Sequence, residues 1–493
     1  MIDAIVEGLM QLLSPFNFGL LCAGMAMGIV LGILPGIGGM VGLSLLLPFI
    51  WELQPYQAMP LMIGLLAVVN TSDTITCVLV GVPGTAGSVA TIMDGYPLAQ
   101  KGEAGRALSA AFAASAIGGV LGAALLALSL PIFRPLVMML RAPELFMFVI
   151  LGVVMTGALS GREPLKGLIS AGLGLMLASI GGAGAFSVLR YYFGIHYLYG
   201  GIPVLLVALG VFGIVEVADL ARKGLPIAGR YSLGKGTIDG LKDTLREWAL
   251  TLRATLLGAY IGFLPGMGSS VANWVAYGHA IQSAKDSSNF GKGDIRGVIA
   301  PEAANNACRG GDLIPTLMFG VPGSASMALF LAAMIVLGVV PGPDMVTKHL
   351  PLFWNIVWGL AIANVLGALV CFTFTRHLAK LTTINIHKLV PFIIGIIFIG
   401  AVQASQSWGD ILVLLGLGVL GWIMKQYGFV RPPLLVGFVL GPLAERYLWI
   451  AQQRYGLEWL THPSVIVIGL MTAVSLWASI RYQRKRAASG GAG

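Results

Sequence analysis

Charge is scarce in this sequence, and basic charge is missing from its start: the first lysine or arginine is Lys101. Only 10% of residues are charged, 57% are apolar, and the mean hydropathy is +0.87. That balance excludes an ordinary soluble domain. With no basic stretch ahead of the first apolar run, the positive region of a secretory leader is also missing. Cysteine is rare. Cys22, Cys77, Cys308 and Cys371 lie far apart without metal-ligand spacing, and the six histidines show no His-Glu-x-x-His pattern. No Gly-x-x-x-x-Gly-Lys-[Ser/Thr] phosphate loop occurs, and the glycines at 36–42 lack the spacing and strand context of a dinucleotide loop. No nucleophile–base pair can be assembled, so an enzyme is not expected. The net charge of +9 reads as cytoplasmic loop charge beside membrane lipid, with no nucleic-acid partner.

What fills the sequence is glycine and proline inside apolar runs. Gly28-Ile29-Val30-Leu31-Gly32-Ile33-Leu34-Pro35-Gly36-Ile37-Gly38 returns 230 residues later as Gly258-Ala259-Tyr260-Ile261-Gly262-Phe263-Leu264-Pro265-Gly266-Met267-Gly268. A second pair follows. Asp73 precedes Gly81-Val82-Pro83-Gly84-Thr85 by eight residues, and Asp312 precedes Gly320-Val321-Pro322-Gly323-Ser324 by eight. Two apolar halves with two breaks each is the pattern of a secondary transporter built from repeats. The expected fold is an all-α polytopic membrane protein. At about 20 residues per span it has about 11–12 transmembrane helices, in two inverted repeats with broken helices or re-entrant hairpins.

The breaks are where chemistry is expected. Pro35 and Pro265 each remove an amide hydrogen and release a carbonyl about one turn earlier. Gly36, Gly38, Gly266 and Gly268 permit close approach of backbone or ligand. A lone Pro-Gly reads as a packing kink, whereas matched pairs in both halves point to a transport site. After the second breaks come Gly84, Thr85 and Ser88 in one half and Gly323, Ser324 and Ser326 in the other. A helix restarting there would turn N–H groups and its positive end toward a carboxylate. The alternative is hydroxyls bonded back to their own helix.

Asp73 has 20 uncharged residues on either side. An acid at a helix centre costs roughly 2.5–3.5 kcal/mol on insertion scales, so it is usually functional or paired. Asn70, Thr71 and Thr74 surround it in sequence with oxygen atoms suited to a small hard cation. The expected coupling ion is Na+ or H+, with Na+ assigned to Asp73 and its mate Asp312, and no other cofactor. The alternative for Asp312 is an ion pair with Arg309. The run Pro301-Glu302-Ala303-Ala304-Asn305-Asn306-Ala307-Cys308-Arg309 sets Asn305, Asn306 and Arg309 beside the second broken segment. Arginine is a natural fork for a carboxylate, although a loop-end charge is the plainer reading.

At these blocks the chain resembles the TctA family, the large membrane subunit of tripartite tricarboxylate transporters. The matching elements are Gly32-Ile33-Leu34-Pro35-Gly36-Ile37-Gly38-Gly39, Gly81-Val82-Pro83-Gly84-Thr85, Asp94-Gly95-Tyr96-Pro97 and Leu264-Pro265-Gly266-Met267-Gly268. Later come Gly293-Asp294-Ile295-Arg296-Gly297-Val298, Ala300-Pro301-Glu302-Ala303-Ala304-Asn305-Asn306-Ala307 and Gly320-Val321-Pro322-Gly323-Ser324. The resemblance implies an ion-gradient-driven carboxylate importer of the bacterial inner membrane. It implies two partners, a small four-helix membrane subunit and a periplasmic solute-binding protein. A stand-alone symporter or channel for organic anions is the alternative.

Charge divides the chain into an N-terminal membrane repeat (1–221), a cytoplasmic amphipathic linker (222–250), a C-terminal membrane repeat (251–480) and a basic tail (481–493). Lys223, Arg230, Lys235, Lys242 and Arg246 place the linker inside, and Arg481, Arg484, Lys485 and Arg486 place the tail there. Asp3 and Glu7 alone precede the first break, which places the N-terminus outside. A thiol introduced near Asp3 should label from outside and one near Lys235 should not. The reverse labelling would sink the inverted-repeat reading.

Overall fold

The computed structural model describes residues 1–34, 38–159, 163–182, 188–223, 236–382 and 386–489. Pro35, Gly36, Arg230 and Lys235 lie outside them, as do the side chains of Lys223, Arg484, Lys485 and Arg486. In chain order come α1 (Ile2–Leu13), α2 (Pro15–Ile33), α3 (Gly38–Ile50), α4 (Pro55–Val80), a 3-10 turn (Ala86–Ser88), α5 (Ile92–Gln100), α6 (Ala104–Met139), α7 (Ala142–Leu159) and α8 (Pro164–Ala178). A two-residue ribbon pairs β1 (Gly181–Gly182) antiparallel with β2 (Leu189–Arg190). After a second 3-10 turn, α9 (Val204–Ala208) passes through a π-helical stretch, Leu209–Ile214, into α10 (Val215–Lys223). The rest is α11 (Thr237–Arg246), α12 (Trp248–Phe263), α13 (Gly268–Ser283), α14 (Arg296–Phe319), α15 (Ala325–Val336), α16 (Leu350–Leu381), α17 (Ile386–Ser405), α18 (Trp408–Gln426), α19 (Pro432–Tyr455) and α20 (Pro463–Ser489).

The chain is an almost wholly helical, multi-pass membrane protein. Eight of the described helices are long and apolar enough to cross a bilayer, fewer than the expected 11–12. The shortfall has a physical cause, because the breaks cut apolar runs into shorter helices such as α3 and α15. Helix α14 starts at Arg296. Its polar first half looks like a loop in sequence, yet the helix from Gly297 onward is buried throughout.

Glycine spacing dictates the first three-helix unit. Gly24, Gly28 and Gly32 recur every four residues on one face of α2. A Cβ at Gly24 would lie 2.0 Å from the Leu61 carbonyl oxygen, and one at Gly28 would lie 2.6 Å from that of Leu65. Gly32 meets Val69 in turn. The contacts advance together, so α2 and α4 run parallel at backbone contact, as small-residue stripes allow in membranes. The intervening α3 must return, with Gly39 against Val69 and Gly42 against Leu65. Thus α2 and α3 run antiparallel, and the end of α2 reaches the level of Asp73, where a Cβ at Gly32 would lie 3.2 Å from the Asp73 nitrogen. The second half repeats the plan. Gly258 meets Ala304 and Gly262 meets Cys308 along parallel α12 and α14, while α13 returns with Tyr277 against Gly297.

The halves then exchange arms. Amphipathic α1 lies on α16, with Gly8 against Pro351 and the Trp358 indole donating to the Ile5 carbonyl at 3.3 Å. Amphipathic α11 lies on α6 in the same manner, with Gly240 against Arg106 and Thr244 donating to the Ala110 carbonyl at 3.1 Å. Because α2 touches α4 through backbone, Gly28→Leu should cost at least the 1–3 kcal/mol typical of overpacking. The check is a lower melting temperature of the purified protein. An unchanged one would show that the stripe is not a packing seam.

Candidate functional site

Both second breaks are built alike. Helix α4 ends at Gly81 (φ +70°) and α14 ends at Gly320 (φ +67°), a left-handed cap that favours glycine. The chain then doubles back until Gly84 wedges between the Gly32 carbonyl and Asp73, and Gly323 between the Gly262 carbonyl and Asp312. A Cβ at Gly84 would sit 2.4 Å from that carbonyl oxygen, and one at Gly323 2.7 Å from its counterpart. These glycines serve packing and do not line the cavity, contrary to the expectation that they admit substrate. The hairpin tip is tied in as well, since the Gly266 amide donates to the Gly323 carbonyl at 2.9 Å.

Around these loops lies a cavity of about 360 Å³ walled by both halves. Its walls include Gly38 to Val41 at the start of α3, Thr85 to Gly87, Gly266 to Val271 at the start of α13, and Ser324 to Ser326 at the start of α15. Arg309 reaches it from α14, and Leu159, Glu216 and Pro432 complete the described lining. Three helix N-termini therefore border one cavity, each with N–H groups that have no partner within their own helix and a positive dipole end. The restart after Gly84 differs from expectation: it is a single 3-10 turn, with Thr85 and Ser88 bonded to each other as a cap. A true helix restarts only in the second half. Ser324 is its N-cap residue, and the Ser324 hydroxyl has no hydrogen-bond partner.

The two aspartates are fully buried and have different company. The Thr85 hydroxyl donates to Asp73 Oδ2 at 2.5 Å, and Asp73 Oδ1 has no partner. Asp312 faces Arg309 Nη1 at 3.3 Å and Cys308 Sγ at 3.5 Å, so the ion-pair alternative describes its surroundings. Asn70, Thr71 and Thr74 do not encircle Asp73. Neighbouring helix positions point in different directions, and these three build the seam where α4 crosses α14 antiparallel. Asn70 Oδ1 accepts from Arg309 at 3.1 Å, its Nδ2 donates to the Asn305 carbonyl at 3.2 Å, and the Asn306 amide donates to Thr71 and to Asn364 at 2.8 Å each. Asn305 and Asn306 are thus seam residues and do not line the cavity, although Asn305 lies directly behind Gly87 of its wall. Arg309, Ser326, Gly38, Thr85, Gly266, Gly268 and Ser324 do reach the wall; Ser88 does not. Pro265 is not among the lining residues.

The sequence reading assigned no role to Glu302. Fully buried, it accepts hydroxyls from Thr91 at 2.6 Å, Thr74 at 2.8 Å and Ser115 at 3.2 Å, tying α14 to α4 and α6. An acid among alanines was the available signal. Asp94 is a second such carboxylate. It accepts from the Gly293 and Asp294 amides at 2.8 Å each and from the Tyr277 hydroxyl at 2.9 Å, holding the loop before α14.

Paired helix breaks around one donor-lined cavity define a membrane transporter component. The chain belongs to the Tripartite tricarboxylate transporter TctA family, whose match covers residues 18–436. It is similar to an uncharacterized 52.8 kDa protein in the TAR-I ttuC' 3'region of Agrobacterium vitis, 32% identical over 96% of each chain. A second Agrobacterium vitis protein, uncharacterized and from the TAR-II ttuC' 3'region, is 34% identical over 46% of this chain and 97% of its own length. No solved structure matches.

Glu302→Leu would strand three buried hydroxyls, each unsatisfied group costing about 1–3 kcal/mol. The variant should reach the membrane in much reduced amounts, with Glu302→Gln intermediate, as read by fluorescence-detected size exclusion. Wild-type levels of the leucine variant would show that this junction contributes nothing.

Proposed function

We propose that this chain is the large permease subunit of a tripartite, cation-gradient-driven carboxylate uptake system of the bacterial inner membrane. It would work with a small four-helix membrane subunit and a periplasmic solute-binding protein. The observation that carries the reading is the convergence of the α3, α13 and α15 N-termini and Arg309 on one cavity shared by both halves. Backbone N–H groups at helix starts are a ready anion site. Several preorganised donors are what a di- or tricarboxylate needs on leaving water. Family membership supports the tripartite arrangement.

Inverted repeats fit this reading. The antiparallel crossing of α4 and α14, the parallel pairs within each half and the exchanged arms α1 and α11 all follow from a two-fold relation between the halves. The lining residues Leu159 and Pro432 stand at helix ends beside Arg162 and Arg431 in the sequence. In this reading the cavity faces the cytoplasm. Asp73 carries the coupling ion, because it is the buried carboxylate that has no cationic partner and also leaves one oxygen, Oδ1, without a hydrogen bond.

Uptake into proteoliposomes, with and without the binding protein and with a panel of mono-, di- and tricarboxylates, tests the proposal. Uptake should require the binding protein and an inward cation gradient. Ser324→Ala should raise the half-saturating concentration roughly 10- to 150-fold, the worth of one hydrogen bond to a charged group. Asp73→Asn should abolish ion dependence. Full uptake without the binding protein would favour a stand-alone organic-anion symporter or channel.

A further inference from the structure

We propose that this carrier takes one sodium ion per cycle, at Asp73, and that Arg309 is a tethered cation closing the equivalent position at Asp312. The inference rests on the permease reading above and adds the number and place of the ions. The two aspartates occupy matching environments. Each lies against a glycine of the doubled-back loop, Gly84 or Gly323, and each of those glycines touches a hairpin carbonyl, of Gly32 or Gly262. Matching positions should bind alike unless a side chain intervenes.

One does. The residue three before Asp312 is Arg309, and the residue three before Asp73 is Asn70. Arg309 places Nη1 3.3 Å from Asp312 Oδ2. No ion pair involving Asp73 occurs among the described residues, and its buried Oδ1 has no hydrogen-bond partner. The nearby Ser88 hydroxyl is committed to the Thr85 carbonyl at 3.1 Å. A buried carboxylate oxygen without a partner is costly. A small hard cation supplies that partner, and the site offers a carboxylate, the Thr85 hydroxyl and the Gly32 carbonyl close by, the oxygen chemistry that sodium takes.

Charge balance across the seam explains why one half has arginine and the other asparagine. Asn70 and Arg309 touch, Nη2 to Oδ1 at 3.1 Å. Two arginines there would face each other as like charges in a buried seam. Two asparagines would leave two bare carboxylates and require two ions. One of each leaves one of the two matched aspartates without a cation, and unlike Glu302, whose oxygens accept three hydroxyls, that aspartate keeps an oxygen unpartnered.

Binding of radioactive sodium to the purified full chain in lipid nanodiscs, without carboxylate, tests this. The parent should saturate at one sodium per chain and Asp73→Asn at none. Arg309→Asn should saturate at two. Because that variant exposes Asp312 to burial without a partner, the charge-conserving exchange of Asn70→Arg with Arg309→Asn is the second probe. It should again bind one sodium, now abolished by Asp312→Asn and untouched by Asp73→Asn. A parent that binds two sodium ions or none overturns the inference, as does an exchange variant whose sodium still depends on Asp73. Loss of carboxylate uptake in a parent that binds one sodium would instead overturn the permease reading and leave the ion count standing.

Discussion

A chain that interrupts its helices inside a bilayer must find partners for every N–H and C=O it releases, and lipid offers none. The architecture follows from that constraint. The broken tip before α13 is tied by the Gly266 amide to the Gly323 carbonyl, and the Ile33 carbonyl at the end of α2 accepts the Thr76 hydroxyl at 2.6 Å. The Gly323 amide is covered in turn by the Thr316 hydroxyl at 3.4 Å. These released groups are therefore met by loops and helices lying directly against them. Glycine-to-carbonyl contact between α2 and α4, and between α12 and α14, brings those partners close enough.

Once the breaks are covered, the polar groups fall into two sets. One set is consumed by the seam between the halves, where Asn70, Thr71, Thr74, Glu302, Asn305 and Asn306 bond one another and fix the crossing of α4 and α14. The other set consists of backbone amides at helix starts, which face the cavity. The division also explains why polar residues equally prominent in sequence have opposite fates.

Much of this was legible in the sequence. The matched Pro-Gly breaks, the eight-residue spacing from Asp73 and Asp312 to the Gly-Val-Pro-Gly runs and the isolation of Asp73 are one-dimensional facts that survive folding. So is family membership, carried by contiguous blocks. The grouping of Asn70, Thr71 and Thr74 around Asp73 did not survive. Successive residues on a helix diverge by about a third of a turn, and these side chains reach α14 instead. Glu302 went unassigned because its three donors, Thr74, Thr91 and Ser115, come from three different stretches of chain.

The sequence by itself determined where the helices break, which residues are acidic in an apolar setting, and that the two halves are variations of one plan. These are local properties, set by proline chemistry, glycine and hydropathy. Only the tertiary structure decided which polar atoms are spent on the seam and which face the cavity. It alone showed that Gly84 and Gly323 serve packing, and that Arg309 neutralises Asp312 while Asp73 has no such partner. The reason is geometric: hydrogen bonds are contacts of a few ångströms, and those of the seam join segments far apart in the chain, as between Asn70 and Arg309, whereas the Arg309–Asp312 pair is local to one helix.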